Sequence, residues 1–456
     1  MAAGEGTRMR SSLPKVLHEV CGRPMVAWPV IAARTAGASR VAVIVSPDRD
    51  LSSGLPEGTE TIVQADANGT GGAVRAAHDL VRDSETVVVL SGDHPLINGE
   101  IVAAMLETHR ASGAAATVMS VEVDEPGAYG RIVRDEAGDV ERIVETKDPS
   151  TASAEERAIR EINTGTYVFD AAPLVEALDG LRADSSAGEY YLGDVIPALR
   201  EGGLRVVAHL ATDPNVNLGV NNRSDLALVT AEARRQILER HMLAGVTVLD
   251  PASTWVDADV EIDSDVTLEP ATTLRGSTRV GRDSIIGPLS TVTDSEIGAG
   301  VRVVHSYLDG AHVGDEATVG PFAYLRPGTR LAAGVKAGTF VEIKNSQIGE
   351  GAKVPHLAYV GDAQVGAGAN LGAGTITANY DGVEKSETRI GEGARIGVNT
   401  SLVAPVSVGE DAYTGAGAVI REDVPPGSLA VSKGEQRHIE GYAEEKAKRA
   451  GEVESG

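Results

Sequence analysis

Two groups of side chains in this sequence have types and spacing that could do chemistry, and those of the first suit a phosphorylated small molecule. The first is Ala2-Ala3-Gly4-Glu5-Gly6-Thr7-Arg8-Met9, followed by Leu13-Pro14-Lys15. Closely spaced Gly and Ala let backbone N–H groups converge on phosphate oxygens, and Arg8 and Lys15 supply the positive charge a triphosphate needs. Farther along, Leu90-Ser91-Gly92-Asp93 puts a carboxylate at the C-terminal end of an apolar, strand-like run. Open α/β sheets bind ligands at that end of their strands. A hard carboxylate there suits Mg²⁺, which bridges phosphates and offsets developing charge. The competing structural role for Asp93 is a helix N-cap ahead of Pro95.

The second group lies in the other half of the chain. Leu325-Arg326-Pro327-Gly328, Phe340-Val341-Glu342-Ile343-Lys344-Asn345, His356-Leu357-Ala358-Tyr359-Val360-Gly361-Asp362 and Ala378-Asn379-Tyr380-Asp381-Gly382 crowd polar and charged residues into one region. An imidazole such as that of His356 is a suitable base near neutral pH, contributing ~10²–10⁴-fold. His305 and His312 are read as surface residues without a role.

The elements that must hold the second group announce themselves by a period of six. Aliphatic residues recur at Val256, Ile262, Leu268, Leu274, Val280, Ile286 and Val292, then at Val313, Val319, Leu325 and Leu331, and at Ile348, Val354 and Val360. After a one-residue slip come Val365 and Leu371, then Ile390, Ile396, Leu402 and Val408. Neither a helix nor a simple strand repeats at six. A parallel β-helix of hexapeptide faces does, with three faces to a coil and one aliphatic side chain per face pointing inward. A loop from Thr377 to Arg389 interrupts the hexads, and insertions in a solenoid mark its binding face. A Gly-rich sandwich, the alternative, would alternate at a period of two.

The first half alternates instead. Val41–Val45, Thr86–Leu90 and Ala115–Val123 read as buried strands, and Gly71–Val81 and Gly99–Ala111 as helices, which together predict an α/β domain with a mostly parallel sheet. Ser224 reads as the N-cap of a connecting helix ending near Gly245. After Pro425-Pro426-Gly427, the charged tail Glu440–Gly456 reads as helical at first and then disordered. The predicted boundaries are 1–223 for the α/β domain, 224–244 for the linking helix and 245–456 for the β-helix with its tail.

Composition narrows the classes. A chain of 456 residues exceeds one ordinary core, and 53 Gly with 3% aromatics suit a solenoid of tight turns. A formal net charge of −25 disfavours nucleic acid, whose binding is dominated by phosphate contacts. Cys21 is the only cysteine, which excludes an intramolecular disulfide framework and any multi-cysteine metal site. No apolar run approaches a membrane span and the first residues contain no apolar signal region, so a soluble, cytoplasmic protein is expected.

The first cluster resembles the G-x-G-T-R-M…P-K signature of sugar-1-phosphate nucleotidyltransferases. Gln64-Ala65-Asp66…Gly69-Thr70-Gly71 resembles that family's nucleobase-reading loop, and Ser91 and Asp93 match its strand end. Tyr129-Gly130-Arg131, Val144-Glu145-x-Lys147, Glu161-Ile162-Asn163-Thr164-Gly165 and Gly219-Val220-Asn221-Asn222-Arg223 recur there in the same order. The resemblance implies that Gly130, Glu145 and Asn163 contact the sugar and that Asn221 completes an Mg²⁺ site with Asp93. Arg8 and Lys15 would neutralise the triphosphate.

With the second cluster included, nearly the whole chain resembles the bifunctional N-acetylglucosamine-1-phosphate uridylyltransferase/glucosamine-1-phosphate acetyltransferases, in their actinobacterial form. That resemblance implies an α/β nucleotidyltransferase domain, Rossmann-like, followed by a left-handed parallel β-helix. It implies a homotrimer whose substrates are UTP, acetyl-CoA and glucosamine 1-phosphate and whose product feeds cell-wall peptidoglycan synthesis. Arg326 and Lys344 would hold the sugar phosphate beside Tyr359 and Asn370. His356 would be the general base, oriented by Glu342. Asn379 and Tyr380 would line the meeting point of sugar and acetyl-CoA, with Ala373 and Ala416 along the pantetheine groove.

Three positions depart from the family pattern. Val398 replaces a Ser that touches the thioester region, and Lys433 replaces an Arg on the coenzyme A phosphates, keeping charge but losing bidentate geometry. Both bear on the hold on acetyl-CoA rather than on the reaction. Family members also carry a strand-forming apolar segment ahead of Ala2-Ala3-Gly4, where this chain begins at Met1. The natural start is therefore expected upstream, with the strands at Val41–Val45 and Thr86–Leu90 short of a neighbour and uridylyl transfer weaker than acetylation. The rival readings are a monofunctional sugar-1-phosphate nucleotidyltransferase with a regulatory β-helix, and a β-helix scaffold with a vestigial first domain.

Overall fold

The computed structural model describes residues 1–4, 6–146, 152–182, 190–432, 434 and 436–454. It divides into two compact units, Met1–Leu243 with Trp255–Val260, and Ala244–Thr254 with Glu261–Gly456.

In the first unit the β-branched runs form strands as their composition dictates. β1 (Ala42–Val45) and β2 (Glu60–Val63) pair in parallel as a separate two-stranded sheet. A six-stranded sheet contains β3 (Thr86–Val89), β4 (Ala116–Glu122), β5 (Arg131–Arg134), β6 (Val140–Val144), β7 (Glu161–Asp170) and β8 (Val206–Leu210). The ten-residue β7 is the organiser. One edge runs antiparallel along β4, and the other is shared between β3 and β5. Consequently β3, β4, β5 and β8 point one way, as a mostly parallel sheet requires, yet most hydrogen-bonded neighbours are antiparallel because β7 lies between them.

Among the described residues β1 pairs only with β2 and β3 only with β7, so the two strands lack a common neighbour. Among the described residues Met1 and Ala2 reach across by backbone hydrogen bonds. The Met1 amine donates to the Leu90 carbonyl at 2.8 Å, Gly92 N–H donates to the Met1 carbonyl at 2.8 Å, and Ala2 N–H donates to the Ile44 carbonyl at 2.8 Å. Beside them lies a cavity of about 570 Å³ whose walls include Val43, Ile44, Val87, Val89 and Leu106.

Helix boundaries follow local chemistry. The predicted helix at Gly71–Val81 is α1 (Gly69–Ala76), which breaks at Ala77 before a second, five-residue helix at His78–Arg82. α2 (Gly99–Ser112) starts where the Asn98 side chain accepts from Ile101 N–H and stops at Gly113, which adopts φ +62°. α3 spans Arg223–Leu243, and its cap is Asn222 rather than Ser224. The Asn222 amide oxygen accepts from Ser224 N–H at 2.8 Å and Asp225 N–H at 3.1 Å. Asp225 reciprocates by accepting from Asn221 N–H at 2.9 Å and Asn222 N–H at 3.2 Å. Ser224 already sits inside the first turn.

The second unit is a stack of two- to four-residue strands in parallel sheets. Three hexads make a coil, so Thr273 lies against Thr291 and Glu261 against Arg279. Every periodic aliphatic residue named above is buried except half-buried Ile262. Each full burial contributes about 1.5–3 kcal/mol relative to exposure. Where the hexads lapse, the interior row runs through Ile297, Val303 and Leu308, all buried, with five-residue steps on either side of the six-residue step from Ile297 to Val303. The Thr377–Arg389 insertion lengthens one coil, so that Ile376 lies against Ser401. The tail forms α4 (Tyr442–Glu454), a longer helix than the predicted partly disordered segment.

Candidate active sites

In the first unit the glycine-rich run forms a single 3₁₀ turn, Thr7–Met9, entered through Gly6 at φ +64°. A Cβ on Gly6 would lie 2.5 Å from Lys15 Cβ, so only glycine lets the loop close on the second turn, Lys15–Leu17. Lys15 Nζ reaches Asp93 Oδ2 at 2.5 Å, and Arg8 Nη2 donates to Asn221 Oδ1 at 2.8 Å. Val220 N–H donates to the Asp93 carbonyl at 3.0 Å, and the Asn222–Asp225 cap fixes the next residue. Four residues far apart in sequence thus meet as two cation–oxygen pairs.

Burial alone would raise the Asp93 pKa, but His94 and Lys15 outweigh it and hold the carboxyl below its usual range. Asp93 is therefore a carboxylate at neutral pH. No group of three or more His, Cys, Asp or Glu among the described residues could hold a metal by itself. One carboxylate and one amide oxygen do match the habit of Mg²⁺, which takes few protein ligands and keeps phosphates and waters.

The other predicted nucleotide and sugar residues fall into two neighbouring groups. Gln64 is buried, and its amide donates to Asn68 Oδ1 at 2.9 Å and the Gly69 carbonyl at 3.2 Å. Thr70 Oγ1 accepts from Leu192 N–H at 3.0 Å. Asn163 N–H donates to the Gly130 carbonyl at 2.9 Å, and the Glu145 carboxylate packs over Gly130. The Asn163 amide donates to the Tyr167 hydroxyl at 2.8 Å. Burial pushes the pKa of that phenol up, so it remains a neutral partner. Sequence reasoning missed Tyr167; its position four residues after Asn163 along β7 was the available signal. Ser91 is half-buried beside Gly92. Ala2 is tied to Ile44 through its N–H, and Ala3 and Gly4 follow it towards the 3₁₀ turn. Lys147 lies outside the described residues.

In the β-helix, Arg326 Nη1 donates to Glu342 Oε1 at 2.8 Å. The Asp362 carboxylate accepts from Lys344 Nζ at 3.2 Å, from Asn345 Nδ2 at 2.7 Å and from Asn379 Nδ2. Tyr359 lies in register with Glu342 on one side and Ile376 on the other. A Cβ on Gly361 would stand 2.5 Å from the Tyr359 hydroxyl and 2.9 Å from Asn379 Nδ2, so both side chains come together over this glycine. Arg326, Glu342, Lys344, Tyr359 and Asn379 therefore lie together on one face of the coils.

His356 is exposed at the end of strand Lys353–His356. Within one chain the expected contact between Glu342 and His356 is not formed among the described residues. Among the described residues the Glu342 carboxylate bonds Arg326, and no hydrogen bond links it to His356. The reason is topological: His356 ends a strand of one sheet, in register with Thr339, whereas Glu342 lies in the next sheet. Asn370 pairs with Lys353 and Arg395. Asn399 N–H bonds the Ala373 carbonyl at 2.7 Å and Gly417 N–H bonds the Val398 carbonyl at 2.8 Å, which stacks Ala373, Val398 and Ala416 on successive coils. Exposed Tyr380 opens the insertion, donating to the Gly382 carbonyl at 2.6 Å. Lys433 lies outside the described residues.

Comparison with known proteins reaches both halves. The Nucleotidyl transferase family matches residues 1–257, and the Bacterial transferase hexapeptide (six repeats) family matches residues 387–422. The Bifunctional protein GlmU of Streptomyces avermitilis is 49% identical over 471 residues, covering 100% of this chain and 96% of that protein. Its counterpart in Streptomyces coelicolor is 50% identical over 98% of this chain and 93% of that protein. That of Brevibacillus brevis is 45% identical over 97% and 96%.

Proposed function

The chain belongs to the bifunctional GlmU family, and from that premise we propose how its residues divide the chemistry. The protein is a bifunctional transferase of UDP-N-acetylglucosamine synthesis, acetylating glucosamine 1-phosphate and then joining the product to UTP with release of pyrophosphate. We assign uridylyl transfer to the first unit and acetyl transfer to the β-helix. The observation that most supports the first assignment is the convergence of Asp93 and Asn221, each already facing a cation of the glycine-rich segment.

In uridylyl transfer an oxygen of N-acetylglucosamine 1-phosphate attacks the α-phosphorus of UTP in line, and the bond to pyrophosphate breaks. Such a reaction needs positioning and charge neutralisation rather than a strong base. Arg8 and Lys15 exchange their present partners for triphosphate oxygens. The freed Asp93 carboxylate and Asn221 oxygen are the protein groups that would hold Mg²⁺, which when bound neutralises phosphate charge. Gln64 and Thr70 face the nucleotide, while Gly130, Glu145 and Asn163 contact the sugar.

In acetyl transfer the glucosamine nitrogen attacks the thioester carbonyl, the C–S bond breaks and coenzyme A leaves as thiolate. His356 accepts the amine proton. Arg326 and Lys344 hold the phosphate, with Glu342 fixing the Arg326 guanidinium. Asn379 and Tyr380 flank the reacting centre, and Ala373, Val398 and Ala416 give coenzyme A a smooth groove. With glucosamine 1-phosphate, acetyl-CoA, UTP and Mg²⁺ supplied together, mass analysis should detect N-acetylglucosamine 1-phosphate and then UDP-N-acetylglucosamine. A single activity would favour the monofunctional rival.

No described helix is long and apolar enough to cross a membrane. We place the enzyme in the cytoplasm, where UTP and acetyl-CoA are made. We further assign a homotrimer. Leu289, Phe322, Phe340 and Leu357 recur at one corner of the coils, 53–62% exposed, with His305 at that corner on the coil between Leu289 and Phe322, and the Phe322 and Phe340 rings stack at 5.3 Å. An apolar corner repeated along a prism suits packing about a threefold axis. Sedimentation should give the mass of three chains, and Phe340→Glu should shift it towards one with loss of acetyl transfer. A wild-type monomer with full acetyl transfer would overturn the assignment.

A further inference from the structure

Of the residues around the acetyl site, one holds more of it together than any residue assigned a role above. Asp362 occupies a corner of the coil at φ +49°, in the left-handed region that Asp and Asn tolerate better than most residues. Three N–H donors converge on its two carboxylate oxygens: Asn345 on Oδ1, Asn379 on Oδ2, and the Lys344 ammonium, 3.2 Å from Oδ2 and 3.4 Å from Oδ1. Its backbone is fixed from both sides, since its N–H donates to the Lys344 carbonyl at 3.0 Å and its carbonyl accepts from Thr388 N–H at 3.2 Å. Asp362 is therefore tied to the phosphate-side lysine, to the base of the insertion through Asn379, and to the strand on which the chain returns from that insertion.

We propose that Asp362 is the positioning residue of the acetyl site, a single carboxylate that sets the separation and orientation of Lys344 and Asn379. This rests on the acetyl-transfer reading of the β-helix. Lys344 and Asn379 would meet opposite ends of the sugar phosphate, one at the phosphate and the other near the reacting nitrogen. A rigid link between them matches the site to the length of that acceptor. Asp362 itself need touch no substrate. Burial would raise its pKa, but the hydrogen bonds from Asn345, Asn379 and Lys344 outweigh this and hold the carboxyl below its usual range, so the link persists at neutral pH.

Asp362→Asn is the informative variant. Asparagine accepts the left-handed backbone, so the corner is retained, but one carboxylate oxygen becomes an NH₂ group facing another donor. Misplaced groups at a reacting centre cost on the order of 10²-fold. The loss in kcat/KM for glucosamine 1-phosphate should be ~10²-fold, while KM for acetyl-CoA and the rate of uridylyl transfer stay within ~2-fold. A purely structural role would instead disturb both acetyl-site substrates alike. Because Asp362 acts through Asn379, Asp362→Asn and Asn379→Ala should be strongly non-additive, the double variant resembling the worse single one. Additive losses, an equal rise in KM for acetyl-CoA, or wild-type kcat/KM in Asp362→Asn would overturn the inference while leaving the functional reading intact. A wild-type protein unable to transfer acetyl groups would overturn both.

Discussion

Asp93→Asn should lower uridylyl transfer by ~10²-fold or more while acetyl transfer remains near wild type, because the metal-neutralised triphosphate belongs to only one of the two reactions. The variant keeps the shape of the side chain and removes its charge. In the structure that charge is matched by Lys15 at 2.5 Å, with the Lys15 side chain only 12% exposed. The variant therefore also leaves a largely buried ammonium without its carboxylate, and some stability should go with it. Thermal unfolding of the first unit separates that loss from the catalytic one. The pH dependence has a definite sign. Since the folded pKa of Asp93 is depressed, its stabilising pairing is present above the ordinary carboxylate range and is lost only as pH falls through the lowered value. Asp93→Asn should flatten that acid limb. Equal loss of both activities would contradict the division of labour between the units.

His356→Ala should do the converse, lowering acetyl transfer by ~10²-fold or more through loss of the proton acceptor. Uridylyl transfer from supplied N-acetylglucosamine 1-phosphate should persist. His356 is exposed, and its backbone is held by the strand register with Thr339 rather than by its ring. Removing an exposed ring of this kind usually changes stability by no more than ~0.5 kcal/mol, so a lost reaction would be a chemical effect. Full acetyl transfer by the variant would dismiss His356 as the base. Retention of acetyl transfer by Glu342→Gln would instead agree with the pairing of Glu342 to Arg326, since an amide oxygen can still accept from the guanidinium.

The sequence by itself determined the β-helix, and it did so for a simple reason. A side chain that must point inward once per face leaves an aliphatic mark every sixth residue, whatever surrounds it. Val280, Ile286 and Val292 could be read as interior without a structure, and they are buried. Local chemistry also sufficed for α2, whose Asn98 cap and Gly113 stop are short-range signals. It misplaced the start of α3, because Ser224 and Asn222 are both good caps and only the reciprocal bonds with Asp225 decide between them.

What the tertiary structure decided is everything that depends on one segment meeting another. Sequence could not show that β7 would separate strands of like direction, since pairing is a long-range choice among strands of similar composition. Nor could it show that Arg8 and Lys15 rest on Asn221 and Asp93, 213 and 78 residues away. Nor could it show that the Glu342 carboxylate rests on Arg326 within the chain, which follows because residues one coil apart stack while residues on adjacent faces diverge. Asp362 was visible as a letter after Gly361. Its role emerged only when stacking brought Lys344, Asn345 and Asn379 around it, for a carboxylate becomes an organising group through the donors that the fold delivers to it.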